Sequence, residues 1–534
     1  MLKKICIDFQ EDAYVSGVFL GVKDDLYFSR MFIRRLKNKN GKTYVQVIDK
    51  SVGKYKVLKS MGGSEDPNQL GELVKKATEW INKHTGKVEF DFAQQDQLVE
   101  SFFNSIDSHK LVGLELVLGR LFDEIGFNKI QDEIFRQLVI YRIAFPKSKL
   151  KTTEYLYRYE HIDWDENKLY RYLDKLHFTQ KEKVQQISYE HTCKILGGDI
   201  SIVFYDVTTL YFEIDEEDEL RKTGFSKEGK HQNPQIVLGL LVSRNGYPLA
   251  YDIFEGNKFE GHTMLPVIES FKKKYHLEKL IVIADSGLLS SSNIQALQDN
   301  HYEFIVGARI KNESLAIKQK ILALQLSNGQ SACIQKGDLK LIITYSDNRA
   351  RKDAYNREKG IRRLEKQIRK GRLTKSALNK RGYNKFLQLT GELSVSMDHS
   401  KIEQDKRWDG LKGYITNTTL PTNEAIENYK HLWQIEKAFR ITKTDLKVRP
   451  VYHRLPRRIE AHICISFVAY KVYKELERQL QEKGSPLSCG KAIEIAENIF
   501  EIQLELPVTK KRIKKILLLT EEQKLLAHYF DFGC

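Results

Sequence analysis

The spacing of apolar and polar residues divides the chain into stretches with different predicted secondary structure. Residues 28–62 alternate in short runs, and Asn40-Gly41 lies between two of these runs, which predicts a β-hairpin. A helix is predicted to follow over 67–84. We therefore predict a small β-rich N-terminal module over residues 1–90.

Residues 91–199 are predicted to be helical, because apolar residues recur there at spacings of three and four. Within this region, residues 152–176 have the pattern of a helix, a short break and a second helix. Asp165 is the expected N-cap of the second helix. The pair is either a helix-turn-helix motif or an ordinary hairpin of packed helices.

Residues 200–308 change to the short apolar runs that are typical of strands. The order is strand, hairpin pair, helix, strand, helix, strand, which predicts an α/β fold with a mixed sheet. An insertion is predicted over 309–410, and a strand returns in residues 408–421. The second part of the core is predicted over 411–480.

The rest of the chain is predicted to be helical. A long helix is expected over 423–447, ended by Pro450, and a helical C-terminal region over 481–534. The latter carries a basic patch from Lys510 to Lys515.

The net charge indicates the kind of partner that the protein binds. The 534 residues carry a formal charge of +16 and a pI near 9.2, which favours a polyanion, most simply nucleic acid. Residues 349–385, here called the basic segment, hold 15 Lys/Arg and 3 Asp/Glu and one apolar helical stripe. The segment either contacts phosphates or is a solvated face. Its predicted DNA contacts are Arg362, Arg363, Lys366, Arg369 and Lys370.

Several classes of protein are disfavoured by composition. The six cysteines form no CxxC pair, so a zinc ribbon or a disulfide framework is not expected. The N-terminal sequence has acidic residues where a signal peptide needs an apolar run, and no stretch has the length and apolarity of a membrane span. We expect a cytoplasmic protein.

Three carboxylates stand out as candidate catalytic groups. Asp206 and Asp285 follow the apolar runs SIVFY and LIVIA, where a charged group is costly unless it is paired or bound to metal. The alternative role of each is to cap the turn at a strand end. Glu436 lies at the edge of the apolar stripe of the long helix, with Tyr429 seven residues before it and Lys443 seven after it.

The three carboxylates together indicate metal-dependent cleavage of a phosphodiester bond. Two Mg²⁺ ions activate the attacking water and stabilise the leaving oxygen, and Mg²⁺ prefers hard oxygen ligands. For Glu436 the alternative is a helical salt bridge to Arg440, four residues later.

These residues carry a resemblance to a known family. FYDVTTLYFE, VIADSGLLS and the helix around Glu436 resemble the catalytic blocks of the DDE transposases of bacterial insertion sequences. The spacing is similar to that of the branch with the Y-x2-R-x3-E-x6-K signature, onto which Tyr429, Glu436 and Lys443 fall. Leu432 stands where the signature has Arg, so a phosphate contact is lost or comes from elsewhere, with Lys430 and His431 as neighbours.

The resemblance implies a ribonuclease-H-like core with an insertion domain, and a transposase that cuts element ends and transfers a 3′-hydroxyl to target DNA. It implies that Asp206, Asp285 and Glu436 bind two Mg²⁺ ions, for which Mn²⁺ can substitute. It also implies double-stranded DNA partners, namely terminal inverted repeats and target, a homodimer in a synaptic complex, and a nucleoid-associated location in a bacterial cytoplasm. The DNA contacts that we expect on the helix of Glu436 are Tyr429, Arg440, Lys443 and Lys447.

Two alternatives remain on the sequence alone. One is another ribonuclease-H-like nuclease, which the large insertion and the Tyr–Glu–Lys helix disfavour. The other is a transposase-derived DNA-binding protein without catalysis, which the presence of all three carboxylates disfavours.

Overall fold

The computed structural model describes most of the chain after the first 30 residues. The described residues are 31–38, 41–50, 54–85, 99–198, 200–226, 229–288, 290–370, 379, 382–390, 394–506 and 509–532. Asn40 of the predicted turn and residues 371–378 of the basic segment lie outside them. Two compact units divide the chain, Met1–Ser105 and Ile106–Cys534.

The N-terminal unit is an antiparallel sheet with one helix. Its elements are β1 (Met31–Lys37), β2 (Thr43–Asp49), β3 (Lys56–Ser64) and α1 (Pro67–Thr85). The predicted hairpin is confirmed, since β1 pairs with β2 and Gly41 has the positive φ of 84° that such a turn needs. Val45, Val47 and Ala77 form the small core beneath α1.

The second unit begins with one strand and a group of helices. These are β4 (Ile106–Leu111), α2 (Arg120–Ile125), α3 (Glu133–Ala144), α4 (Lys149–Glu160), α5 (Glu166–Thr179) and α6 (Lys181–Ile195). Asp165 caps α5 as predicted, because its carboxylate accepts a hydrogen bond from the Lys168 N–H at 2.6 Å. The sequence analysis did not predict β4.

The centre of the second unit is an eight-stranded mixed sheet. Its first elements are β5 (Ile202–Tyr211), β6 (Gln235–Ser243), β7 (Pro248–Glu255), α7 (Met264–Tyr275), β8 (Ile281–Ala284), α8 (Ser291–Asp299) and β9 (Glu303–Ala308). The predicted order of strands and helices is confirmed. β5 is antiparallel to β6 and parallel to β8, and β8 is parallel to β9, so the predicted mixed sheet is confirmed.

The inserted segment adds strands to the same sheet. Its elements are α9 (Leu315–Leu322), β10 (Ser331–Lys336), β11 (Leu339–Tyr345), α10 (Asp347–Arg369), β12 (Leu387–Thr390), β13 (Ser394–Met397) and α11 (His399–Lys406). The chain then returns to the core in β14 (Leu411–Thr416). The full sheet order is β10-β11-β14-β9-β8-β5-β6-β7. On α10, Leu364 is buried, and the buried Arg357 forms an ion pair with Asp409 just before β14.

The predicted long helix over 423–447 is wrong in one respect, because the structure has two helices there. They are α12 (Thr422–Lys430) and α13 (Trp433–Thr444), and α14 (Pro456–Glu482) follows. The break falls at His431-Leu432, where the Leu432 N–H bonds to the Tyr429 carbonyl, three residues back. Tyr429 therefore lies on a different helix from Glu436 and Lys443.

The C-terminal region is helical as predicted in α15 (Cys489–Ala496) and α16 (Glu521–Phe530), but it also contains two strands. These strands are β15 (Phe500–Glu505) and β16 (Arg512–Leu517), which pair with each other and join β4 in a sheet of order β16-β15-β4. The predicted basic patch thus lies around β16. Across the described residues, no helix is long and apolar enough to cross a membrane.

One ion-pair cluster ties α5 to the central helix α14. Asp174 accepts hydrogen bonds from Arg457 at 2.8 Å and from Arg458 at 2.7 Å. The hydrogen bond from Arg458, with that from Arg457, lowers the pKa of Asp174 to about 2. Since the folded-state pKa lies below the usual value of about 3.9, this stabilisation is present above about pH 4 and is lost as pH falls through about 2.

We expect Asp174→Asn to lower the free energy of unfolding by at most about 1 kcal/mol at pH 7, because the carboxylate is partly solvated. The difference between variant and wild type should shrink as pH is lowered toward about 3. Urea unfolding at several pH values measures it. A difference that is constant with pH would show that the charge of Asp174 does not contribute.

Candidate active site

The sheet register brings the first two carboxylates together. Tyr205 on β5 pairs with Ala284 on the parallel strand β8. Asp206 and Asp285 are the next residues on the two strands, and neighbouring strands lie about 4.8 Å apart. The two carboxylates therefore stand side by side at one position of the sheet.

Each aspartate also bonds to the backbone that follows it. The Asp206 carboxylate accepts from the Val207 N–H at 2.8 Å, and the Asp285 carboxylate accepts from the Ser286 N–H at 2.6 Å. For Asp285 this is the turn contact proposed as its alternative role. One such bond uses one oxygen of a carboxylate and does not exclude a metal-binding role.

Helix α13 places Glu436 beside the sheet. The predicted apolar stripe is confirmed, because Leu432, Ile435, Phe439 and Leu446 are buried while Glu436 is exposed at its edge. Within the described residues, no ion pair joins Glu436 to Arg440. The helical salt bridge that was the alternative explanation of Glu436 is not formed.

Asp285 and Glu436 line one cavity of about 490 Å³, here called the carboxylate pocket. Its lining residues are Asp285, Ser286, Gly307, Ala308, Arg349, Lys412, Gly413, Tyr429, Lys430, Leu432, Trp433 and Glu436. Segments far apart in sequence meet there, namely the ends of β8 and β9, the start of α10, strand β14 and the pair α12–α13. The pocket combines two carboxylates with three cationic side chains.

Tyr429 forms the floor of the carboxylate pocket and is only 4% exposed. A Cβ on Gly307 would lie 2.5 Å from its hydroxyl oxygen, so the phenol packs directly over the backbone of β9. Burial raises the pKa of Tyr429, and the charges of Asp285, Glu436 and Asp206 raise it further. All three predicted carboxylates therefore act on the same phenol.

Two cations in the carboxylate pocket were missed by the sequence analysis. Lys412 Nζ lies 4.6 Å from the centre of the Tyr429 ring, and Arg349 donates to the Leu411 carbonyl at 3.2 Å. Burial and the neighbouring Arg349 lower the pKa of Lys412, whereas Asp285 and Glu436 act in the opposite direction. Both cations therefore line the same pocket as Asp285 and Glu436.

The other predicted DNA contacts do not line the carboxylate pocket. Arg440 lines a separate cavity beside α14, and Lys447 lines a third one near α4. Lys443 is half-buried on α13. The predicted contacts of the basic segment are all exposed, on and just after α10: Arg362, Arg363, Lys366, Arg369 and Lys370.

The carboxylates fit a divalent metal in donor chemistry and location. In the described part of the chain, no three His, Cys, Asp or Glu side chains stand close enough together to hold one ion jointly. Mg²⁺ commonly takes only one or two carboxylates and completes its shell with water and substrate phosphate. Glu260 is a further acid nearby, because its Oε2 and Asp285 Oδ2 lie 3.9 Å and 3.8 Å from the Cβ position of Gly287.

Comparison with known proteins gives a family match. A family model described as a transposase DDE domain matches residues 197–471, slightly more than half of the chain. The matched segment contains Asp206, Asp285 and Glu436. A search of curated proteins found no match.

Two solved structures show similarity at low identity. The chain is similar to piggyBac transposase in a synaptic complex with hairpin DNA, at 10% identity and a TM-score of 0.36, over 72% of this chain and 76% of that chain. It is also similar to Mos1 transposase in a paired-end complex with the left transposon end, at 11% identity and a TM-score of 0.15, over 33% and 58%.

Proposed function

This chain belongs to the transposase DDE domain family, and we propose that Asp206, Asp285 and Glu436 are the carboxylates with which it cleaves and transfers DNA strands. As a member of this family it is a DNA transposase. The observation that supports the site is the register of β5 and β8, which sets Asp206 beside Asp285. Glu436 reaches the same pocket from α13.

The metal of this site is proposed to be Mg²⁺, bound as two ions, with Mn²⁺ as a substitute. The residues that would hold the ions are Asp206, Asp285 and Glu436. When bound, such ions activate the attacking oxygen and stabilise the leaving oxygen in an in-line displacement.

The remaining polar groups of the carboxylate pocket suit the phosphate that reacts. Lys412 and Arg349 place positive charge beside Asp285 and Glu436. A phosphodiester brings its own negative charge to a site that already holds carboxylates, so these cations favour its entry. We assign to them the phosphate contact that the signature gives to Arg and that Leu432 cannot make. Tyr429, fixed over Gly307, limits the depth to which the phosphate enters.

We further propose that the chain belongs to the branch with the tyrosine, glutamate and lysine signature. Its partners are then double-stranded terminal inverted repeats and target DNA, held by a homodimer in a synaptic complex. Lys443, Arg440 and Lys447 would contact DNA outside the carboxylate pocket.

A cleavage assay tests the proposed function. Purified protein with Mg²⁺ should cut DNA that carries the inverted repeats flanking the coding frame, and should leave DNA of scrambled ends uncut. Strand transfer is measured with a labelled 3′-end and a target plasmid. Specific binding without any cut in Mg²⁺ or Mn²⁺ would contradict the enzymatic assignment and favour a DNA-binding protein derived from a transposase.

The basic segment gives a prediction of its own. Replacing Arg362, Arg363, Lys366 and Arg369 with Gln should weaken DNA binding and flatten its salt dependence, because each lost phosphate contact removes about 0.9 from the slope of log Kobs against log salt. The side chains are exposed on α10 while Leu364 is buried, so the fold should be unaffected.

Fluorescence anisotropy at several salt concentrations measures that slope. Replacing Lys273 and Lys320, exposed on α7 and α9, is the matched control and should leave the slope unchanged. An unchanged slope in the α10 variant would show that this face is merely solvated.

A further inference from the structure

A second cavity, away from the carboxylate pocket, is lined by an unusual number of cationic side chains. It has a volume of about 370 Å³ and lies between α3, the start of α4 and the loop that follows α13. We call it the anion pocket. The basic residues that matter for it are Arg142, Lys147, Lys149, Lys447, His453 and His462. Among the described residues that line it, none is acidic.

The innermost of these groups are buried without a counter-charge. Arg142 is 7% exposed, Lys149 4% and His462 5%. Arg142 Nε and His462 Nδ1 have no hydrogen-bond partner among the described residues, and neither Arg142 nor Lys149 forms an ion pair there. Burying a cation without a partner is costly, so a chain that buries two beside each other is built to receive an anion.

The electrostatics of the cluster agree with this geometry. Burial lowers the pKa of Arg142 to about 10, and burial together with the charge of Arg142 lowers the pKa of Lys149. Burial and the neighbouring cations Lys149 and Arg142 lower the pKa of His453 to about 4. On the adjoining helix α5, Glu166 interacts with Tyr170, and Asp174 is bonded to Arg457 and Arg458.

The backbone adds to the positive potential of the anion pocket. Helix α4 begins at Lys149 with Ser148 as its N-cap, and both residues line the cavity. The N-terminus of a helix carries partial positive charge and presents N–H donors to an anion. A water molecule occupies about 30 Å³ in the liquid, so the cavity has room for a tetrahedral oxyanion together with water.

We propose that the anion pocket binds a phosphate group, with Arg142 and Lys149 as its inner contacts. The source favoured by its position is a phosphodiester of the DNA backbone. Lys447, exposed directly after α13, and Tyr452, 75% exposed, stand at the mouth of the cavity. The phosphate site itself does not depend on catalysis; its assignment to DNA rests on the proposed function.

Binding of inorganic phosphate to the full chain tests the site without DNA. Isothermal titration and the rise in Tm are measured against chloride at equal ionic strength. Wild type should bind phosphate, and Arg142→Gln and Lys149→Gln should each weaken binding at least about tenfold, the effect of losing one charge-assisted hydrogen bond. Lys151→Gln, an exposed lysine on α4 that pairs with Glu154, is the matched control and should bind as wild type does.

Two further arms keep the result interpretable. If Arg142→Gln does not fold, Lys147→Gln, an exposed residue two positions before α4, should still weaken phosphate binding. Glu436→Gln should bind phosphate normally, so loss of cleavage and loss of this site are distinguished. No phosphate binding to folded wild type would overturn the proposal.

The source of the phosphate is decided by competition. If the pocket holds a backbone phosphate, inorganic phosphate should displace DNA from wild type more strongly than chloride does at equal ionic strength. In Arg142→Gln, phosphate and chloride should displace DNA equally well. Phosphate binding without any effect on DNA affinity would support the anion site and overturn its assignment to DNA.

Discussion

Asp285→Asn is expected to abolish DNA cleavage while leaving DNA binding intact. The amide keeps the size of the side chain. Its oxygen can still accept the hydrogen bond from the Ser286 N–H, which is 2.6 Å long in the wild-type protein. It removes the negative charge that would hold a divalent ion beside Asp206. Removing a single electrostatic stabiliser from an active site lowers the rate by about 100- to 1,000-fold. Removing a metal ligand should lower the cleavage rate at least as much.

Asp206→Asn and Glu436→Gln should have the same effect, because we propose that the three carboxylates serve one site. Asp299→Asn is the matched control, since Asp299 is exposed at the end of α8 and accepts only a local bond from Gln295. Initial cleavage rates and DNA affinity are measured on the same preparations. Cleavage retained in any of the three amide variants would remove that residue from the catalytic set.

The local pattern was sufficient to predict the centre of this fold. Strands β6, β8 and β9 are almost wholly buried, and after the β6–β7 hairpin the strands alternate with helices. Their order predicted a mixed sheet, and the apolar runs before Asp206 and Asp285 placed these residues on β5 and directly after β8. Side-by-side placement then followed from the parallel pairing of β5 with β8.

The features that were missed depend on contacts between distant segments. Strand β4 pairs with β15, which lies almost 400 residues later in the chain. Strand β16 was missed because its many charged residues are not typical of a strand. The break between α12 and α13 has no Gly or Pro to mark it. Arg349 and Lys412 looked like ordinary basic residues, because only the pairing of β11 with β14 brings them to the same pocket.

Lys412→Ala and Arg349→Ala are each expected to lower the cleavage rate by about 100-fold. Leu432, which stands where the proposed signature has Arg, is apolar and only 7% exposed, so it offers no charge to the reacting phosphate. Lys412 lies against Tyr429, and its positive charge is drawn toward Asp285 and Glu436. Arg349 comes from the insertion, which explains how a site without the usual Arg keeps a cation there.

The matched controls are Arg351→Ala, two residues after Arg349 on the exposed face of α10, and Lys320→Ala on α9. Both should cut at the wild-type rate. Lys412→Arg should recover much of the activity lost in Lys412→Ala, because it restores the charge, whereas Lys412→Met, which keeps only the bulk, should not. Equal activity of the Arg and Met variants would show that Lys412 merely packs against Tyr429, and that the phosphate is held by other groups.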